Sequence, residues 1–176
     1  MTRLRSCKGS IAAEHTAVLV VMFMGMFFPF VNLATGGYRY ALALQSVHNG
    51  AYQGSVANTW TSGSDPKGNA VMDTVPATIN NFIAANTGVH NPTVKVRMLD
   101  TNINTGAVTP LPYGSKLPTD PVAGHIYSIE CTLDCDIDPL VVLKSGFVPQ
   151  VPGMTSSFHS SMTAKQLLES PGGMTK

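Results

Sequence analysis

Residues 16–35, TAVLVVMFMGMFFPFVNLAT, run for 20 positions without one ionisable side chain. As a helix this run is about 30 Å long, the thickness of a bilayer's hydrocarbon core. In a chain of 176 residues it leaves room for one modest domain beside a membrane anchor. Pro29 and Asn32 weaken its outer end, although a proline is tolerated in membrane helices. Two other readings compete. A buried helix of a soluble core normally carries a polar stripe, and this run has none. A cleaved secretory signal would use the small residues Ala34, Thr35 and Gly36, but the run is longer than the usual apolar region of about 7–15 residues.

Charge gives the rod a direction. Arg3, Arg5 and Lys8 precede it with no acid among them, while Arg39 follows it. Positive residues stay on the cytoplasmic side, so the N-terminus is expected inside and the ~140 residues beyond the run outside. Only 12% of the chain is charged and the net charge is +1, which gives no electrostatic case for nucleic acid as a partner. Without the three leading bases, eight bases face ten acids, a remainder of −2.

The junction ahead of the rod reads Gly9-Ser10-Ile11-Ala12-Ala13-Glu14. A charge at mid-bilayer costs about 2.5–3.5 kcal/mol, so an isolated carboxylate at the lip of an apolar helix calls for a reason. The plain one is that Glu14 sits near the interface in the first turns, favoured by the helix dipole. As a whole, the basic leader, Gly9, four small or apolar residues, Glu14 and the abutting helix resemble a class III signal of type IV pilins. They are most similar to TadE-like pseudopilins of the tight-adherence (Tad/Flp) pilus system. The resemblance implies cutting between Gly9 and Ser10 by a prepilin peptidase, with Glu14 fifth in the mature chain. It implies that Glu14 meets the new amine of a neighbouring subunit's Ser10, because opposite charges in an apolar bundle are tolerable only when paired. It further implies a single-pass protein of the bacterial inner membrane with a periplasmic head, whose partners are other pilins and pseudopilins. Beyond the anchor the resemblance is one of layout. His15 stands where Flp pilins usually have tyrosine, and the exported part is far longer than theirs. Both departures point to a minor pseudopilin rather than the major filament subunit, and leave filament incorporation or membrane retention open.

Past the anchor, Tyr40, Leu44, Val47 and Ala51 recur at helical spacing. The helix is expected to continue through Gly36 and Gly37, which serve as a hinge, and to end at Gly50, Gly54 and the turn-rich residues 61–66. Three regions result: a leader over 1–9, a transmembrane and stalk helix over 10–60, and an extracytoplasmic α+β head over 61–176. In the head, Pro76 suits a first helical turn with Thr74 as cap, Ile79, Phe82 and Ile83 form an apolar face, and Gly88 stops the element, which gives a helix over 76–86. Residues 94–98 alternate Val, Lys, Val, Arg, Met. Residues 127–138 alternate more clearly, with Ile129, Cys131, Leu133, Cys135 and Ile137 on one face and Glu130, Thr132, Asp134, Asp136 and Asp138 on the other. Lys95 and Arg97 are placed to pair with that acidic face across an antiparallel sheet. Residues 140–143 are expected as a further strand, residues 109–121 with four prolines as a loop, and Phe158, Ser160 and Met162 as an edge strand.

Chemical motifs are sparse. Asp134, Asp136 and Asp138 suggest the start of a calcium loop, but an EF-hand needs glycine sixth and glutamate twelfth, and here Pro139 and Ser145 stand there. Cys131 and Cys135 on one extended strand would lie ~13 Å apart, whereas a disulfide needs Cα atoms within about 7 Å. Buried thiols are therefore favoured over a bulge-assisted bridge. The five histidines include no pair at metal-ligand spacing, and Met22, Met24 and Met26 do not share a helical face. No phosphate-binding glycine loop, nucleophile elbow or His-Glu-x-x-His stands in the chain. No cofactor and no catalysis are expected. The rival functional reading is a secreted or membrane-tethered binding module whose N-terminus merely targets it.

Overall fold

The computed structural model describes residues 8–61, 69–141 and 150–175, of which 8–13 are described as backbone alone. Its first feature is one long rod built from α1 (Lys8–Met22), a π-helical turn (Phe23–Phe27) and α2 (Phe28–Ser55). Pro29 explains the π turn. Proline cannot donate to the preceding turn, and its ring would press on it. Widening that turn, with Phe28 N–H reaching back to Phe23 O, restarts the helix so that Pro29 falls in the first turn of α2, where its missing N–H leaves no gap.

The hinge expected at Gly36 and Gly37 is not there: α2 passes through both. Gly36 is buried beside the Phe158 ring, and a Cβ on it would meet that ring at 3.7 Å, an ordinary contact distance. Gly50 lies well inside the helix, while Gly54 is its last residue but one, so α2 ends where the second of these glycines was expected to end it. Both lie on a face of small buried residues with Ala43, Ser46, Val47 and Ala51. That face lets the rod approach α3 (Val71–Ala84) and the sheet closely.

Helix α3 starts earlier than Pro76 suggested, and Thr74 is not its cap. The carbonyls of Thr59 and Trp60 accept the N–H groups of Val71 (2.9 Å) and Met72 (3.1 Å), so the first turn is satisfied from outside and needs no side-chain cap. Val71, Val75, Ile79 and Ile83 repeat at steps of four and bury one stripe.

The sheet is antiparallel with strand order β2-β1-β3-β4, formed by β1 (Val89–Asn102), β2 (Val108–Pro110), β3 (His125–Ile137) and β4 (Phe158–Leu167). The class is α+β, as the alternation indicates. Central β3 places Ile129, Cys131, Leu133, Cys135 and Ile137 fully inside, under the helices. Pro92 sits where the β1–β3 register slips between His90 and Thr93, the kind of bulge that tolerates a missing ladder donor. Beside it Asn91 takes φ +51°, a conformation asparagine adopts at low cost. Within the expected loop, Thr109 and Pro110 instead belong to the short edge strand β2, paired with β1. Strand β4 forms the other edge, containing the expected Phe158, Ser160 and Met162. Of residues 140–143, Leu140 and Val141 have left the sheet after Pro139, and the other two lie outside the described residues.

Candidate functional site

Gly9 and Ser10 fall in the first turn of α1, and Glu14 follows Ser10 by four residues, on the same side of the helix. From Glu14 to Phe27 every residue is exposed, with Val21 at 72% and Met24 at 61%. Within Glu14–Ser55 the apolar window long enough to cross a membrane is only 6% buried in the protein. A core helix would be mostly buried, so the soluble-core reading does not hold. Asn32 is the first buried side chain described along the rod, less than one turn before the run ends.

Asn32 is a contact that the sequence did not reveal. It is fully buried. Its Nδ2 donates to the carbonyls of Met154 (2.6 Å) and Val141 (3.3 Å), and its Oδ1 accepts Val141 N–H at 3.1 Å. One amide thus ties both limbs of the β3–β4 connection to the rod. Two turns further on, Arg39 Nη1 donates to the carbonyls of Asp138 (2.7 Å) and Pro139 (2.9 Å). Its guanidinium lies over Gly88, which has φ +88° and where a Cβ would come within 2.2 Å of Arg39 Cζ. The stop glycine is therefore required twice, for the turn into β1 and for the arginine. A lone asparagine in an apolar run was the available signal; which groups it would satisfy was not readable locally.

The acidic face of β3 is fully engaged. Lys95 Nζ meets Asp134 at 2.8 Å, and Arg97 and Lys165 both reach Glu130, the latter at 3.1 Å. Asn91 (2.9 Å) and His159 (3.0 Å) meet Asp136, and His90 (2.8 Å) and Ser157 (2.6 Å) meet Asp138. Glu130 is not in water as the alternation implied: it is 4% exposed, covered by the two bases. Among the described residues no three His, Cys, Asp or Glu side chains are arranged to hold a metal ion. Cys131 and Cys135 are free and buried on an unbroken strand. Burial pushes the Cys131 thiol up to about 12 and Cys135 to about 11, so neither is a thiolate at neutral pH.

Burial raises the Glu130 pKa, but hydrogen bonds from Arg97 and Lys165 outweigh it and leave the carboxyl below its ordinary value. Asp134 is lowered by Lys95 and then Ser161, and Asp136 by Asn91 and then His159. Carboxyls depressed in the folded state contribute stability above their unfolded pKa and lose it as pH falls through the folded value. The head should therefore hold its urea midpoint down to the ordinary carboxylate range and lose it progressively below about pH 4. A midpoint independent of pH between neutrality and about pH 3 would contradict these pairings.

Compared with known protein families, characterised proteins and solved structures, the chain matches none.

Proposed function

We propose that the chain is a TadE-like minor pseudopilin, a structural component in assembly of a Tad/Flp-type adhesive pilus or related secretion apparatus. In this reading it is a substrate of a prepilin peptidase, cut after Gly9, and not an enzyme. It is held in the bacterial inner membrane with its N-terminus cytoplasmic and its head periplasmic. The observation that carries the proposal is the rod, exposed on every side from Glu14 to Phe27 and continuous with the stalk on which the head folds. Such a helix has lipid to contact in the membrane and similar helices to contact in an assembly. In this reading Glu14, exposed at its foot, pairs with a neighbour's Ser10 amine.

The rival, a tethered or secreted binding module, draws on a groove at the α3–β1 turn lined by Asn80, Asn86, Thr87, His90 and Asn91. Cutting near Gly36 to secrete the head would remove the contacts of Asn32 and Gly36, which weighs against a conventional signal. N-terminal sequencing of protein recovered from membranes separates the readings. Ser10 as first residue supports the pseudopilin, a start near Gly37 or Tyr38 the secreted module, and an intact Met1 a simple anchor. Gly9→Leu should retain the leader entirely, and Glu14→Ala should be cut but fail to incorporate. Maturation of Gly9→Leu at the same bond would refute the processing step, and normal assembly of Glu14→Ala would refute the docking step.

A further inference from the structure

The contact level of Asn32 along the rod is fixed by the helical rise. Asn32 lies ~27 Å above Glu14 and Arg39 ~37 Å above it, at about 1.5 Å per residue. With Glu14 at the inner edge of a hydrocarbon layer ~30 Å thick, Asn32 falls just inside the outer edge and Arg39 among the outer headgroups. The two limbs of the β3–β4 connection are tied to these two levels. Asp138 and Pro139 are held by Arg39, while Val141 and Met154 are held by Asn32. The described limbs of the connection therefore reach down beside the rod, by ~10 Å, to the outer edge of the apolar zone.

Its side chains suit that depth. Leu140 (53%), Val141 (40%) and Val151 (41%) face outward. Met154 closes an apolar hollow with Met26, Pro29, Phe30 and Leu33 of the rod. Exposed aliphatic residues are ordinary when scattered, but these sit on limbs that Asn32 holds to the rod through Val141 and Met154, and Met154 lies beside the exposed Phe30 and Leu33. Backbone provides the second, independent observation. Irregular chain facing lipid is kept out of the hydrocarbon core and is tolerable at its edge when its polar groups are satisfied within the protein. Asn32 takes the carbonyls of Val141 and Met154 and the N–H of Val141. The turn at 151–156 closes on itself: Met154 and Thr155 N–H groups donate to Val151 O (3.1 and 2.9 Å), Gly153 N–H to Ser156 O (2.8 Å), and Val151 N–H to Thr155 Oγ1 (2.7 Å).

We infer that the described limbs of the β3–β4 connection, through Leu140, Val141 and Val151, insert into the outer interface of the lipid bilayer beside their own anchor. The inference rests on the anchor reading of the rod, and goes beyond it by giving the head a lipid contact of its own. The occupant is lipid because the surface continues the exposed flank of the membrane helix at the same depth. A second copy of the chain is the competing occupant.

Depth measurement by lipid-borne quenchers tests it on the full chain. In a Cys7→Ser background, single cysteines at Val21, Ile103, Leu140 and Val151 would carry an environment-sensitive fluorophore. Cys131 and Cys135 need no replacement, being buried thiols. Ile103 is the distal control, since the 13 residues of β3 carry the far end of the sheet ~40 Å away. The labelled proteins are reconstituted in phosphatidylcholine–phosphatidylglycerol vesicles containing doxyl-labelled phosphatidylcholine. The expected result is loss of emission at Leu140 and Val151, greatest with the doxyl group near the headgroup. Val21 should be quenched most by doxyl groups deep in the chain, and Ile103 should be unaffected. Quenching at Val21 without quenching at Leu140 and Val151 overturns the inference and leaves the anchor intact. No quenching at Val21 overturns both. Protection of Val151 that appears only at high protein-to-lipid ratio assigns the surface to a second copy and overturns the lipid assignment.

Discussion

Trp60→Ala is expected to lower the stability of the head by about 3–5 kcal/mol, a large part of the 5–15 kcal/mol typical of a folded domain. Trp60 has no exposed surface and follows the end of α2 by five residues. Its ring is part of the buried core and reaches the β2–β3 connection. Its Nε1 donates to Gly114 O at 3.0 Å, and its own carbonyl accepts Met72 N–H at the start of α3. Truncation opens a void and leaves the Gly114 carbonyl without that donor. Trp60→Phe, which keeps most of the ring volume and loses the bond, should cost about 1–3 kcal/mol. Urea unfolding in detergent micelles followed by far-UV circular dichroism measures both, because the variants lack the only tryptophan. If the alanine variant costs no more than the phenylalanine one, Trp60 is not packed as described.

The second large effect is one of sign. Replacing a mid-helix glycine by alanine ordinarily stabilises by roughly 0.5–1 kcal/mol, and Gly37→Ala should do so, since a Cβ there meets nothing within 4 Å. Gly54→Ala should do the opposite. Its Cβ would lie 2.8 Å from Val75 Cγ2 and 2.9 Å from Ile129 Cδ1, both fully buried side chains. The stiff, branched Val75 has little room to turn aside, and overpacking of this kind costs about 1–3 kcal/mol. Gly54→Val, with two further methyl groups, should cost more and lower the melting temperature by many degrees. Melting curves of the three variants decide the matter, and a gain in stability for Gly54→Ala would mean that α2 does not approach α3 this closely.

How far the sequence carries differs by element. The alternation from Ile129 to Ile137 identified the central strand and its buried face, because a two-residue period admits few other structures. That Lys95 and Arg97 pair with the acidic face followed from the same alternation, but not which acids they meet: Arg97 lies opposite Glu130, whereas Lys95 lies opposite Thr132 and reaches diagonally to Asp134. The start of α3 did not follow, because its first N–H groups are satisfied by Thr59 and Trp60 carbonyls rather than by a capping side chain. Nor did the close packing at Gly50 and Gly54, since a glycine that breaks a helix and one that admits a neighbour look alike until the neighbour is known. Strand β2 was hidden among prolines because Pro110 ends the strand on a sheet edge, where a missing N–H is tolerated. At the proposed site, Gly9, Ser10 and Glu14 stand out by spacing, whereas Asn32 and Arg39 acquire meaning only from a connection more than 95 positions away.

The double clamp at Asn32 and Arg39 changes what kind of machine the rod is. A flexible tether would let the domain swivel freely, blind to whatever the far end of the rod is doing. Fastened at two heights on one helix, the domain instead behaves like the bit of a key on its shank. Any turn or thrust delivered to the exposed end of the rod would be handed on as torque or lift to the sheet through both fastenings.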